Sequence, residues 1–568
     1  MNAPISERIR NRNQTPIVLT AVLTMALAAC APAKKKEATP TLGHRLSEAP
    51  ARQLRATSDG KHLVFLTDVK KPTLPDVPED LMVGQLATVP SEGGALRVLG
   101  QGVTTLDGAF HLSPDGRWVA FLEGFVIGRH VGVLSLAALG RTEKPRQLAE
   151  DVSFYRFSKD AKWLGFVASE AFHLHDLTSG KDLLVEEGVA TFEFSPAGNA
   201  VLFRKPLSAG GQLRLAAIGG DTTPRVSTVA ERVGDYGFSP DGKFFALTSR
   251  AGGTGAPYQV FVGESGTSKP RSIGEKAGAF IFSPDSKRLA FIANQTPGMP
   301  YGDLFVMSLP DETSARIGTS VADFRFAPTS DALALRENQL NERGQAWQEF
   351  KVVRVPAGEV RLHQKSLPKS FINFLFSDDG RALAFIKHEK ADLDLWRLDM
   401  ASGSDAPPER VAPWTFEYRF RAAAPGARAD LWYRGTCIRE GRQCDLFVDE
   451  PIAAPTAAIE SADAGPGPDA GNAAETPLPA PAHLKVASAL SAFEFSPSGN
   501  RLFLDLPRFD TTTSFDLAWQ APMPGAVTAP IDRHVLKHSL RALDPDGKRV
   551  AYIVTERRRE GVYVAELP

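Results

Sequence analysis

The sequence predicts an all-β chain, a β-propeller of about eleven four-stranded blades. Three observations carry that expectation. A turn motif recurs along the chain, aromatic pairs alternate on the strand entering it, and no helical period intervenes between copies.

The motif is Ser-Pro-Asp-Gly or a close variant. It opens as Thr57-Ser58-Asp59-Gly60, Ser113-Pro114-Asp115-Gly116, Ser158-Lys159-Asp160-Ala161 and Ser195-Pro196-Ala197-Gly198. It continues as Ser239-Pro240-Asp241-Gly242, Ser283-Pro284-Asp285-Ser286, Ala327-Pro328-Thr329-Ser330 and Ser377-Asp378-Asp379-Gly380. Ala424-Pro425-Gly426 is a worn copy, and Ser496-Pro497-Ser498-Gly499 and Asp544-Pro545-Asp546-Gly547 complete eleven. Copies from Ser113 onward stand mostly about 37 to 50 residues apart, the spacing of propeller blades.

Each residue type suits a turn. Pro presets φ at the first central position, Asp bonds nearby N–H groups, and Gly accepts a positive φ. Where the Asp/Gly pair is incomplete, a different turn shape is expected. The strand entering the turn places two aromatics on one face, as in Phe192-Glu193-Phe194, Phe280-Ile281-Phe282, Phe324-Arg325-Phe326, Phe374-Leu375-Phe376 and Phe493-Glu494-Phe495. The strand leaving it is continuously apolar, as in Leu289-Ala290-Phe291-Ile292. A third apolar strand and a short polar fourth complete the unit, as in Leu304-Phe305-Val306-Met307 and Pro145-Arg146-Gln147-Leu148.

This aromatic-Ser-Pro-Asp-Gly-Lys-x-x-Ala-Phe run resembles the repeats of the TolB-like (WD-like) β-propeller family, over roughly residues 51 to 568. The resemblance implies a fold and a habit of binding proteins or ligands, not one activity.

The last copy supplies three strands and the chain then stops. His44-Arg45-Leu46-Ser47 resembles the missing outer strand, so the two ends are expected to pair. Eleven blades exceed the usual 4 to 8 of one ring. Two packed rings of about five and six blades are therefore expected, residues 51–300 and 301–568, with the switch around residues 260 to 330. One large or open ring is the alternative.

Arg8, Arg10 and Arg12 precede an apolar run from Ile17 to Ala29 that ends on Cys30. Positive flank, short apolar core and small residues make residues 1–29 a signal peptide, too short to span a bilayer as a helix of roughly 20 residues. Leu27-Ala28-Ala29-Cys30 resembles the lipobox of bacterial lipoproteins. That resemblance implies cleavage before Cys30, a diacylglycerol on its thiol and acylation of the new amine. Ala31, where inner-membrane lipoproteins tend to carry Asp, resembles the outer-membrane class of a Gram-negative envelope. Neither the periplasmic nor the surface side is specified. Residues 30–50 then read as lipidated Cys and linker. Lys34, Lys35 and Lys36 are a solvated tether in preference to a headgroup contact.

Residues 453–481, rich in Ala, Pro, Gly and Asp, cannot bury enough apolar surface to order themselves and read as a disordered insert. Just before them, Cys437 and Cys444 lie between Leu431-Trp432-Tyr433 and Leu446-Phe447-Val448, the two strands of a hairpin. A disulfide across its neck suits an oxidising compartment. A metal pair is the alternative, lacking further ligands nearby.

The chain holds 65 Lys+Arg against 66 Asp+Glu, which argues against a nucleic-acid partner. No catalytic residue, metal site or cofactor is assigned. Gly263-Glu264-Ser265-Gly266 lacks the strand-then-helix setting of a nucleophile elbow. His173 and His175 share a strand face without a partner by spacing, and Asp392 and Asp394 alternate on another. Arg156, Glu193, Arg325 and Glu494 fill equivalent slots beside the aromatics. They line a charged channel, pair with neighbouring blades or face solvent; the sequence leaves these open. The reading is a non-enzymatic envelope lipoprotein anchored to membrane through Cys30, a scaffold for a protein or glycan. A propeller enzyme, hydrolase or lyase, with its site at the channel mouth is the alternative.

Overall fold

The computed structural model describes residues 43–568 except 73–77, 79, 207–210, 220–223, 251–254, 296–297, 300, 312, 341–345, 367–372, 390–391, 402–405, 416, 422–428, 439–442, 450–482 and 509. Cys30, the signal segment, the insert 453–481 and the worn Ala424-Pro425-Gly426 copy lie outside the described residues. Residues from Thr41 to Pro568 form one compact unit. The described residues are all-β, with no helix, arranged in seven antiparallel sheets.

Three of the sheets are four-stranded and each holds one repeat. Three are seven-stranded because one long strand in each, Arg146–Phe157, Arg225–Phe238 or Ser314–Phe326, serves twice. The first half of Arg146–Phe157 pairs Arg146 with Leu136 as the fourth strand of one repeat, and its second half pairs Phe157 with Leu164 as the first strand of the next. The last sheet has eight strands and two repeats. Its edge strand, Gly43–Arg45, comes from the other end of the chain and pairs His44 with Val564 on Gly561–Glu566. The expected pairing of the chain ends is therefore present, and among the described residues the repeats number eleven four-stranded units.

The continuous apolar run of each second strand follows from burial on both faces. In Ala200–Lys205, Val201 and Phe203 pack with Phe172, Phe192 and Phe194 of the preceding interface. Ala200 and Leu202 point the other way, onto Phe245 and Leu247 of the next unit. The aromatic pair on the first strand faces the preceding unit: Phe374 and Phe376 cover Phe350 and Val352. At roughly 1.5–3 kcal/mol per fully buried large apolar side chain, these contacts outweigh any turn preference.

Among the described residues eleven apolar clusters result, and ten of them join two units that are consecutive in the chain. Phe503 and Leu517 meet Val550 and Tyr552 between the tenth and eleventh units. The remaining cluster joins the eleventh unit to the first, through Ile553, Val562 and Val564 against Leu63, Phe65 and Ala87.

The turns keep one shape even where their sequence departs from the motif, which corrects the expectation of different shapes. Ala161, Ser286 and Ser330 hold φ of 54°, 61° and 66°, beside 71° at Gly116 and Gly242. In a full copy the Ser113 hydroxyl donates to Asp115 Oδ1 at 2.6 Å and accepts the Trp118 N–H at 2.9 Å. At Asp544 the carboxylate replaces the hydroxyl, accepting the N–H groups of Lys548 and Arg549 at 3.0 and 2.7 Å. The serines at the fourth position supply what glycine cannot: Ser286 Oγ accepts the Asp241 N–H at 2.9 Å, and Ser330 Oγ the Asp285 N–H at 3.0 Å. Each bond joins one unit's turn to the next, which offsets the left-handed φ of a non-glycine residue.

Cys437 and Cys444 are joined by a disulfide across the hairpin of Leu431–Ile438 and Gln443–Asp449, where Trp432 pairs with Val448.

Candidate functional site

The slot between or beside the aromatics that turn into the core lies on the first strand of a unit. Its side chains are left at the surface. Arg55, Arg156, Arg325, Arg419 and Glu494 are exposed there, and His111 and Glu193 half-buried. Four units in succession across the chain ends bring three arginines and a histidine together. Arg541, on Arg541–Ala542, feels Glu494 on one side and Arg55 on the other. His111 feels Arg55 and Arg156. Arg156 in turn acts on Glu193. The order is an arc, Arg541, Arg55, His111 and Arg156, with a carboxylate at each end.

Local packing orients the arc. Arg541 is pinned by donating from Nε to the Leu54 carbonyl at 3.0 Å and from Nη1 to the Leu540 carbonyl at 2.6 Å. Arg55 lies over the Phe110 ring at 5.2 Å and Arg156 over Phe154 at 5.6 Å. These are cation–π contacts that hold a guanidinium without neutralising it. Tyr155, whose hydroxyl donates to the Gly108 carbonyl at 2.8 Å, meets His111 edge-on at 5.3 Å. Burial pushes the His111 imidazole below its ordinary pKa, and the two arginines push it further, so it is neutral at neutral pH. Burial raises the Glu193 carboxyl, opposed by the Phe238 N–H and Arg156. Such an arc can take carboxylate or phosphate oxygens in the fork of a guanidinium.

A second group stands before it in the chain. Asp505 sits near Glu494 and Glu417, and its pKa is raised to about 7, first by burial and then by those two carboxylates. Arg434, 3.0 Å from Glu417, opposes that shift, as does Lys537. Asp505 shows no signal in sequence. It lies on a second strand, Leu502–Pro507, beside the first strand that carries Glu494 in the same unit, while Glu417 comes from the unit before.

The other residues singled out in sequence fall elsewhere. Arg325 lies over Phe374 at 5.5 Å, away from the arc in chain order. His173 stacks on Phe166 at 5.1 Å between ring centroids, while buried His175 has a partner that spacing did not reveal, Asp182, whose Oδ1 is 2.7 Å from Nδ1. Asp182 lies on the next strand and pairs directly across from His175. Asp394 accepts two bonds from Arg410, both at 2.9 Å. Ser265 is buried in the loop after Gln259–Glu264 and donates to the Gly242 carbonyl at 2.7 Å. Among the described residues no group of three or more His, Cys, Asp or Glu is placed to hold a metal ion.

No family model and no curated protein matches the chain. Solved structures similar to it include a eukaryotic initiation factor, at TM-score 0.41 and 15% identity over 66% of this chain and 90% of that one. The tricorn protease follows at TM-score 0.30 and 13% identity, over 84% of this chain and 50% of that one. Hydrazine synthase of Kuenenia stuttgartiensis gives TM-score 0.27 and 12% identity, over 51% of this chain and 95% of that one.

Proposed function

We propose that the chain is a lipid-anchored scaffold of the bacterial cell envelope, a TolB-like propeller that binds an anionic protein or glycan partner along the first strands of its blades. The observation that carries this reading is the pair Arg55 and Arg156. Both are exposed, both are held by aromatic rings, and among the described residues neither has a carboxylate within ion-pair distance. Like charges on the first strands either side of His111 repel each other, and a partner's oxygens would relieve that cost.

The blades are read as one closed ring of eleven, ahead of two packed rings divided near residue 300. Two rings would need an apolar cluster returning from a unit around residues 260 to 330 to the first unit. Among the described residues the clusters follow chain order instead, and the cluster that reaches the first unit from behind comes from the eleventh. A ring of this size has a wide axis lined by the first strands.

The test is capture of crosslinked envelope material on the chain and on its Arg55→Glu, Arg156→Glu double variant. A reproducible partner lost by about tenfold or more in the double variant is expected. No partner, or equal capture by both, overturns the reading. For the anchor, Cys30→Ala should abolish lipid labelling and leave unprocessed precursor; unchanged labelling overturns it.

One observation favours the enzymatic alternative. A carboxyl held near neutrality beside other acids, as at Asp505, is what a general acid of a hydrolase or lyase needs. A panel of glycan and ester substrates, with Asp505→Asn as control, tests it.

A further inference from the structure

The loops of the fifth and sixth units line an open cavity of about 500 Å³. Arg250, just after the strand Phe244–Ser249, and Lys276, just after Arg271–Gly274, bring two cations to its wall. Tyr258, Ala277, Gln295 and Met299 contribute the rest used here.

The Arg250 guanidinium lies over the Tyr258 ring, its central carbon 4.5 Å from the centroid. That contact fixes the plane of the fork. Its Nε is buried and has no hydrogen-bond partner, and among the described residues the guanidinium meets no carboxylate. An oriented guanidinium that meets no carboxylate, beside a second cation at the wall of a cavity of ligand size, suits an oxygen anion.

We propose that this cavity binds a small organic anion, with a carboxylate or phosphate on Arg250 and Lys276 and an apolar body against Tyr258, Ala277 and Met299. Gln295 supplies an amide for a neutral polar group on that body. The site is separate from the arginine arc, and either can fail without the other.

The test uses fluorine NMR on the full-length chain in detergent, with para-fluorobenzoate, para-fluorophenyl phosphate and the neutral para-fluorobenzamide as probes. Saturable broadening by one or both anions, and not by the amide, is expected. The anion that binds more tightly identifies the head group. Arg250→Met should weaken binding about tenfold or more and Lys276→Gln several-fold, while Arg55→Met leaves it unchanged. If Arg250→Met does not fold, the exposed Lys276 variant decides. Saturation by neither anion, equal binding of the amide, or wild-type affinity in both cavity variants overturns the proposal. Loss on Arg55→Met assigns the probe to the arc and also overturns it.

Discussion

A Cβ placed on Gly60 would lie 2.0 Å from the carbonyl oxygen of Leu543. The first turn of the repeat thus rests against the backbone of the last unit, where φ of +66° already favours glycine. The same relation recurs in chain order. Gly116 meets Thr57, Gly242 meets Ser195 and Ala197, and Gly380 meets Thr329. At Gly60 it joins residues from opposite ends of the sequence.

Gly60→Ala should therefore cost more than an ordinary loop substitution. Strain at a left-handed φ is about 1 kcal/mol, and displacing a backbone carbonyl adds about 1–3 more. Gly525→Ala, at φ +75° with nothing within 4 Å, keeps only the first part. Denaturant midpoints of the two variants give the comparison. Hydrogen exchange should also quicken in Gly43–Arg45 and Gly561–Glu566, the strands that join the ends. Equal midpoints for both variants would refute the closure argument.

Arg397 and Asp449 form a buried ion pair between the eighth and ninth units, at 3.3 Å, with side chains 5% and 1% exposed. Arg397 also donates to the Ala429 carbonyl at 2.9 Å. Arg397→Met removes this cation from a carboxylate in a dry site, and a loss of about 3–5 kcal/mol is expected. Arg397→Met with Asp449→Leu should recover most of it. Chemical denaturation of the single and double variants reads the difference.

Asp505 sets a pH dependence with a definite sign. Its folded pKa, about 7, stands above the ordinary 3.8, so the folded state holds the extra proton between those values. The stability tied to that proton is complete below the unfolded pKa and is lost as pH rises through about 7. The scale is at most roughly 4 kcal/mol. Asp505→Asn should flatten the change in unfolding midpoint between acidic and mildly alkaline buffer, and be the more stable form at the alkaline end. A wild-type slope unchanged in the variant would show that another group is responsible.

The Cys437–Cys444 bond closes a short loop, with a sequence separation of 7. Loop-closure entropy gives it about 2.5 kcal/mol. Replacing both with Ser should lower the unfolding midpoint accordingly, and hydrogen exchange should quicken first in Leu431–Ile438 and Gln443–Asp449. Equal exchange with and without the bond would mean that Trp432 and Leu446, both fully buried in the neighbouring cluster, hold the hairpin unaided.

The sequence by itself determined the units. Alternation at Phe192-Glu193-Phe194 marks a strand with one face in the core, and the apolar run at Leu289-Ala290-Phe291-Ile292 marks one buried on both. The turn positions, the pairing of the chain ends and the Cys437–Cys444 hairpin were legible because each depends on residues at short or repeated spacing. Three things were decided by tertiary structure alone. The turns at Ser286 and Ser330 keep their shape because neighbouring turns hold them. The order of the apolar clusters, from the eleventh unit back to the first, depends on which faces meet, and repeats of similar sequence carry no label for that. The arc of Arg541, Arg55, His111 and Arg156 brings together residues from opposite ends of the chain, and Glu417 comes to Asp505 from a separate unit. Charge interactions act through space, and spacing along one strand cannot reveal a neighbour that arrives from another.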